Sequence, residues 1–122
     1  MAKTKEKMNF TEGQIACEMA NGFMNDFDET NEDIRSIYKT LAEKFGDQFY
    51  TNIQMEGHNW KWVRKDKILT HTKLSIWNEG EPNNLKTENC AQVQKDLDGK
   101  SYGLNNIDCS TKSNIICIKN NQ

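Results

Sequence analysis

Four cysteines in a 122-residue chain, Cys17, Cys90, Cys109 and Cys117, constrain the fold more than any other feature, and three of them fall in the last third. No two form a Cys-x-x-Cys pair, so the common zinc-knuckle and thioredoxin-like spacings are absent. Four free buried thiols in a cytosolic protein are one reading. An even number at these positions fits a two-bridge secreted framework better. Four cysteines allow three pairings, and spacing does not choose among them. If Cys17 joined Cys117, the bridge would close nearly the whole chain, a clamp worth about 4 to 5 kcal/mol in loop-closure terms. Asn9-Phe10-Thr11, the only glycosylation sequon, agrees with secretion. The opening Met-Ala-Lys-Thr-Lys-Glu-Lys is charged and has no apolar run behind it, so it is not a signal peptide. That leaves a cytosolic chain or a mature secreted domain with an added start residue, and the cysteines favour the second.

The length suits one domain over residues 1–122. Sixteen basic against eighteen acidic residues give a net charge of -2, which argues against a nucleic-acid partner, since such domains carry a basic surplus to neutralise phosphates. No run of about 18 apolar residues is present to span a membrane.

The first half reads helical. Thr11-Glu12-Gly13-Gln14 has capping-box spacing, with Ile15, Met19 and Ala16 expected on the buried face. A second helix is expected to open near Thr30 or Asn31, with Glu32 and Asp33 in its positive first turn. Ile34, Ile37, Tyr38, Leu41 and Phe45 recur at helical steps, and Gly46 stands where a C-terminal cap belongs. After Gln48 the pattern changes to short, aromatic, partly alternating runs: Phe49 to Gln54 and Trp60 to Val63. Arg64 to Asn89 has little periodicity and holds the only proline; a loop that long in a compact domain is usually functional or disordered. Ala91 to Gln94, an Asp98-Gly99 hairpin signal and Ile115 to Ile118 complete the chain. Helices followed by short strands predict an α+β fold with antiparallel sheet.

Enzyme chemistry finds little support. His58 and His71 lie in polar contexts, and no Gly-x-Ser-x-Gly elbow or paired nucleophile and base is present. Asp96-Leu97-Asp98-Gly99 begins like a calcium loop, but Lys100 and the missing downstream glutamate spoil an EF-hand, and a β-turn explains it better. The stretch from Trp77 to Cys90 is different. It gathers the hard oxygen donors Glu81, Asn83 and Glu88 around Pro82. Calcium takes about six to eight such oxygens. A cis bond before Pro82 would cost little and would turn the flanking side chains the same way.

Glu81-Pro82-Asn83 followed by Glu88-Asn89-Cys90 resembles the sugar-binding loop of C-type lectin domains. The resemblance runs along nearly the whole chain. Cys17 falls at the family's first helix, and Tyr50 to Gln54 matches poorly where the family has its Trp-Ile-Gly-Leu strand. Trp60-Lys61-Trp62, Trp77 and the triple of Cys90, Cys109 and Cys117 fall at its marker positions. The resemblance implies bridges Cys17–Cys117 and Cys90–Cys109. It also implies a C-type lectin-like fold of two helices and two small antiparallel sheets with a long irregular loop region.

It further implies a loop Ca2+ held by Glu81, Asn83, Glu88, Asn105 and Asn106, with Glu81, Asn83, Glu88 and Asn105 also bonding two vicinal sugar hydroxyls. Leu85 and Lys86 would sit beside the sugar and tune selectivity. Glu-Pro-Asn goes with mannose-type sugars in the family, so the expected partners are mannose-type glycans, with several copies of the domain supplying avidity. Two departures bear on this. Leu104-Asn105-Asn106 stands where the family has Trp-Asn-Asp, so an expected carboxylate is an amide and weaker calcium binding follows from the lower ligand charge. On the same ground, Asn106→Asp should tighten calcium binding. The acidic positions of an auxiliary calcium site are Asn84 and Asn89 here, with Glu56 as the one possible survivor. The rival expectation is a calcium-independent lectin-like scaffold that binds a protein surface or ice.

Overall fold

The computed structural model describes residues 1–28, 33–69 and 76–120. Two disulfides, Cys17–Cys117 and Cys90–Cys109, join cysteines 100 and 19 residues apart. This is the pairing that the family resemblance implied and that spacing left open.

Helix α1 (Phe10–Met19) starts two residues earlier than its sequence signal suggested. Asn9 is the N-cap: its Oδ1 accepts from Glu12 N at 2.9 Å, and Glu12 Oε1 accepts from Asn9 N at 3.0 Å. The capping box is therefore Asn9–Glu12, not Thr11–Gln14. Asparagine caps better than threonine, and the pair satisfies two donors that the first helical turn leaves open. Gln14 is used elsewhere, donating to Asn52 Oδ1. The buried face also differs from expectation. Ile15 and Met19 are 52% and 84% exposed, while Phe10, Gly13 and Cys17 point inward. Two features set that rotation. The Cys17 bridge pulls its side inward, and Gly13 lets the helix press onto the core, where a Cβ would lie 2.4 Å from Ile115 Cδ1.

Helix α2 (Ile34–Phe45) follows its apolar stripe. Ile34, Tyr38, Leu41 and Ala42 are buried, and Ile37 and Phe45 pack partly buried against the same core. It ends at Gly46, whose φ of 112° is a conformation glycine adopts without penalty. Thr30, Asn31 and Glu32, named above as its opening, lie outside the described residues, as does His71.

The strands form two antiparallel sheets. The larger has β3 (Phe49–Glu56) at its centre, flanked by β4 (Asn59–Trp62) and then β5 (Lys67–Ile68) on one side. On its other side lie β6 (Cys90–Lys95) and β7 (Tyr102–Ile107). The smaller sheet pairs β1 (Ala2–Lys3) and β2 (Gly22–Met24) to either side of β8 (Ile116–Lys119). Tyr38 and Leu41 of α2 meet Phe49, Ile53, Trp62, Val93 and Leu104 of the larger sheet in the main core. A second cluster, centred on Tyr50 and Ile115, surrounds both disulfides. Among the described residues no helix is long and apolar enough to cross a membrane.

The Asp98–Gly99 turn joins β6 to β7 as the hairpin signal indicated. Asp98 accepts from Lys100 N at 2.8 Å, Ser101 N at 2.9 Å and Ser101 Oγ at 2.8 Å. These donors hold its carboxyl down from 3.8 to about 2. The folded value lies below the unfolded one, so ionised Asp98 favours the turn above the ordinary carboxylate range. That contribution is lost as the pH falls through about 2. An NMR titration of the Asp98 carboxyl carbon should show its midpoint near 2. A midpoint near 4, the ordinary aspartate value, would mean the three bonds do not persist in solution.

Candidate functional site

The irregular segment after Ile76 is fastened at its start by Asn78. Asn78 N donates to Leu104 O at 2.9 Å, and its Nδ2 donates to Gln94 O at 3.0 Å and Asn105 Oδ1 at 2.8 Å. Asn78 O in turn accepts from Glu81 N at 3.0 Å. The buried Asn78 is thus a post between β6, β7 and the acidic loop. Arg35 of α2 reaches the same place. It donates to Trp77 O at 2.6 Å, Tyr102 O at 3.3 Å and Asn78 Oδ1 at 3.4 Å, and pairs with Asp96 at 3.4 Å. Asp96 Oδ1 accepts from Glu79 N at 3.1 Å. Neither Arg35 nor Asn78 was singled out from the sequence. Arg35 lies 42 residues from Trp77 and 61 from Asp96, and no local spacing records such a contact.

Beyond this post the Glu81–Pro82 bond is cis. Asn83 Nδ2 donates to Glu81 Oε2 at 2.8 Å, so the two side chains flanking the proline lie together. Burial raises the Glu81 pKa, the Asn106 N–H facing it opposes that shift, and the negative charge of Glu88 raises it further. A carboxylate whose ionisation burial and the Glu88 charge disfavour, beside an amide side chain, belongs to a hard-oxygen set that a divalent cation would favour in its charged form.

The remaining expected ligands are placed differently. Asn105 Oδ1 accepts from Asn78, and its Nδ2 donates to Gln94 Oε1 at 2.9 Å, so both ends of the amide are engaged at the loop base. Asn106 is turned to the loop itself. Its Oδ1 accepts from Asn83 N at 2.8 Å, and its Nδ2 donates to Asn83 O and, at 2.8 Å, to Glu88 O. Leu85 and Lys86 are exposed at the loop tip. The structure therefore brings Glu81, Asn83, Glu88 and Asn106 together, with Leu85 and Lys86 at the rim, and binds Asn105 into the base.

Glu81, Asn83 and Glu88 carry carboxylate and amide oxygens, the donor type that calcium takes. The set is poorer in charge than a richly acidic site. Among the described residues no group of three or more His, Cys, Asp or Glu side chains is placed to hold a metal. At the auxiliary position, Glu56 accepts from Lys61 Nζ at 3.3 Å and Asn84 is exposed, so a side-chain cation already stands by the one carboxylate there.

Two helices and two antiparallel sheets, cross-linked at both ends and carrying a cis-proline loop of carboxylates and amides, define a lectin-like class of domain. The Lectin C-type domain family profile matches residues 6–119. CD209 antigen-like protein A of Mus musculus is 38% identical over 90 residues, which are 73% of this chain and 35% of that protein. The chain spans about a third of the length of the curated relatives it matches. Among solved structures, a C-type lectin from the tunicate Polyandrocarpa misakiensis superposes with a TM-score of 0.76 at 19% identity, covering 99% of this chain and 97% of that one. The C-type lectin domain of murine dendritic cell inhibitory receptor 2, solved in complex with N-glycan, gives 0.73 at 18% identity, covering 96% and 87%. At such identities the structural likeness is one of fold. The chain belongs to the C-type lectin domain family, a non-enzymatic class of carbohydrate-binding domains.

Proposed function

We propose that this domain binds mannose-type glycans at the 81–88 loop, with a calcium ion held by Glu81, Asn83 and Glu88, in an extracellular setting where both disulfides persist. The observation that carries the reading is the junction at Pro82, where Asn83 Nδ2 meets Glu81 Oε2 beside a second carboxylate. A calcium ion there would supply Lewis-acid coordination for two vicinal hydroxyls. The chain's own groups supply the rest. The Glu81 and Glu88 carboxylates accept hydroxyl protons, and the Asn83 amide donates to a hydroxyl oxygen. Leu85 offers an apolar edge and Lys86 a cation at the rim, where they would discriminate among sugars. The N-glycan on the murine neighbour supports the substrate class by analogy of fold. One such shallow site binds weakly, so several copies would supply useful avidity.

A second reading has its own observation. The amides of Asn105 and Asn106 are engaged with protein atoms, which suits a lectin-like scaffold that recognises a protein surface without calcium. Calorimetric titration of mannose into the protein, with calcium and again with EDTA, separates the two. The expected result is heat with calcium, none with EDTA, and a smaller response to galactose. Silence in both conditions, with calcium itself failing to bind, would overturn the glycan reading in favour of the scaffold.

A further inference from the structure

Asn106 is 2% exposed, and all three hydrogen bonds of its side chain go to main-chain atoms of one loop. Its amide holds Asn83 by both N–H and carbonyl, and holds the carbonyl of Glu88. The two ends of the 83–88 segment are thereby tied together through a residue of β7. Within the segment, Asn84 O accepts from Thr87 N at 3.1 Å and Glu88 N at 3.0 Å, so the turn closes on itself above the tie.

We propose that Asn106 is a metal-independent brace that keeps the 83–88 segment in its binding shape whether or not a cation is present. The inference rests on the glycan-binding reading of this loop and deepens it. An aspartate at this position has no N–H to donate. It could still accept from Asn83 N, but its carboxylate would face the carbonyl oxygens of Asn83 and Glu88, and like partial charges at hydrogen-bond distance repel. A loop built that way needs a cation to hold it closed. The asparagine satisfies both carbonyls with its own donors, so the loop closes on protein atoms alone. The change from carboxylate to amide thus does two opposite things. It removes a charge that would attract calcium, and it removes the dependence of loop order on calcium. A pre-ordered loop has less conformational entropy to lose when sugar or cation arrives, which offsets part of the weaker ligand charge.

Hydrogen exchange at the amides of Asn83, Thr87 and Glu88 tests this in the whole chain, without sugar, in calcium and in EDTA. In the unaltered protein, protection should change by less than about twofold on chelation. In Asn106→Asp, the same amides should exchange at least about tenfold faster in EDTA, while the β3 amides of Tyr50 and Asn52, which donate to Asn114 O and Asn25 O, keep their protection and report an intact fold. The proposal is overturned if chelation speeds exchange about tenfold in the unaltered protein, or if Asn106→Asp is as protected in EDTA as the unaltered chain. Should Asn106→Asp stay open even with calcium, the brace stands and the calcium part of the binding reading falls. Because exchange is read without sugar, a failed mannose titration leaves this result intact.

Discussion

Replacing Cys17 and Cys117 together by alanine is expected to destabilise the domain by about 4 to 5 kcal/mol, the loop-entropy value for cysteines 100 residues apart. Domains have only about 5 to 15 kcal/mol of total stability, so the variant should unfold at a small fraction of the denaturant the parent tolerates. The paired replacement of Cys90 and Cys109, 19 residues apart, should cost about 3 kcal/mol on the same model. Each variant removes two sulfurs from the same buried cluster around Tyr50 and Ile115, so packing losses are similar and the difference reports the loop. Denaturant unfolding of both variants gives the comparison. Equal costs, or the reverse order, would show that native-state packing rather than chain entropy governs these bridges.

Arg35→Met is expected to cost about 2 to 3 kcal/mol and to loosen the candidate binding loop from its base. The guanidinium side chain is 30% exposed and its partner Asp96 16%, so the ion pair is screened by water and most of the cost lies elsewhere. It comes from the carbonyls of Trp77 and Tyr102, which lose a charged donor that methionine cannot replace. Those carbonyls flank Asn78, and Asn78 holds both Glu81 and Asn105. Hydrogen exchange at Asn78 and Glu81 should therefore rise more than at β3 and β4. Uniform acceleration across the sheet would assign Arg35 a general stabilising role and no special hold on the loop. Arg35→Lys should recover only part of the effect, because one ammonium cannot span acceptors that a planar fork reaches together.

Several features could be read from local residue order because local physics produces them. The stripe from Ile34 to Phe45 is a helix because apolar side chains at three- and four-residue steps leave one face to bury, and Gly46 ends it. Phe49 to Gln54 and Trp60 to Val63 are strand-like in composition and became β3 and β4, each within two residues of expectation. Glu81-Pro82-Asn83 marked a loop with chemistry, because hard donors beside the only proline are visible without any fold.

Other features depend on partners far away in the chain. Helix α1 turned its Phe10, Gly13 and Cys17 side inward because Cys117 and Ile115, about a hundred residues on, were there to meet it. Its own sequence, with apolar residues on both sides, gave no strong preference of face. Ala2–Lys3 has no apolar pattern at all, and is a strand only because Cys117 and Ile116 lie opposite it. The use of Asn106 had the same origin. From residue order it was an amide in place of a carboxylate, a lost charge. Its amide acquired a second role when the β6–β7 hairpin placed it against Asn83 and Glu88, 23 and 18 residues away. Periodicity, caps and donor chemistry are short-range and can be read along a chain. Which face is buried and which carbonyl an amide meets are set by long-range closure, and those exist only once the chain has folded.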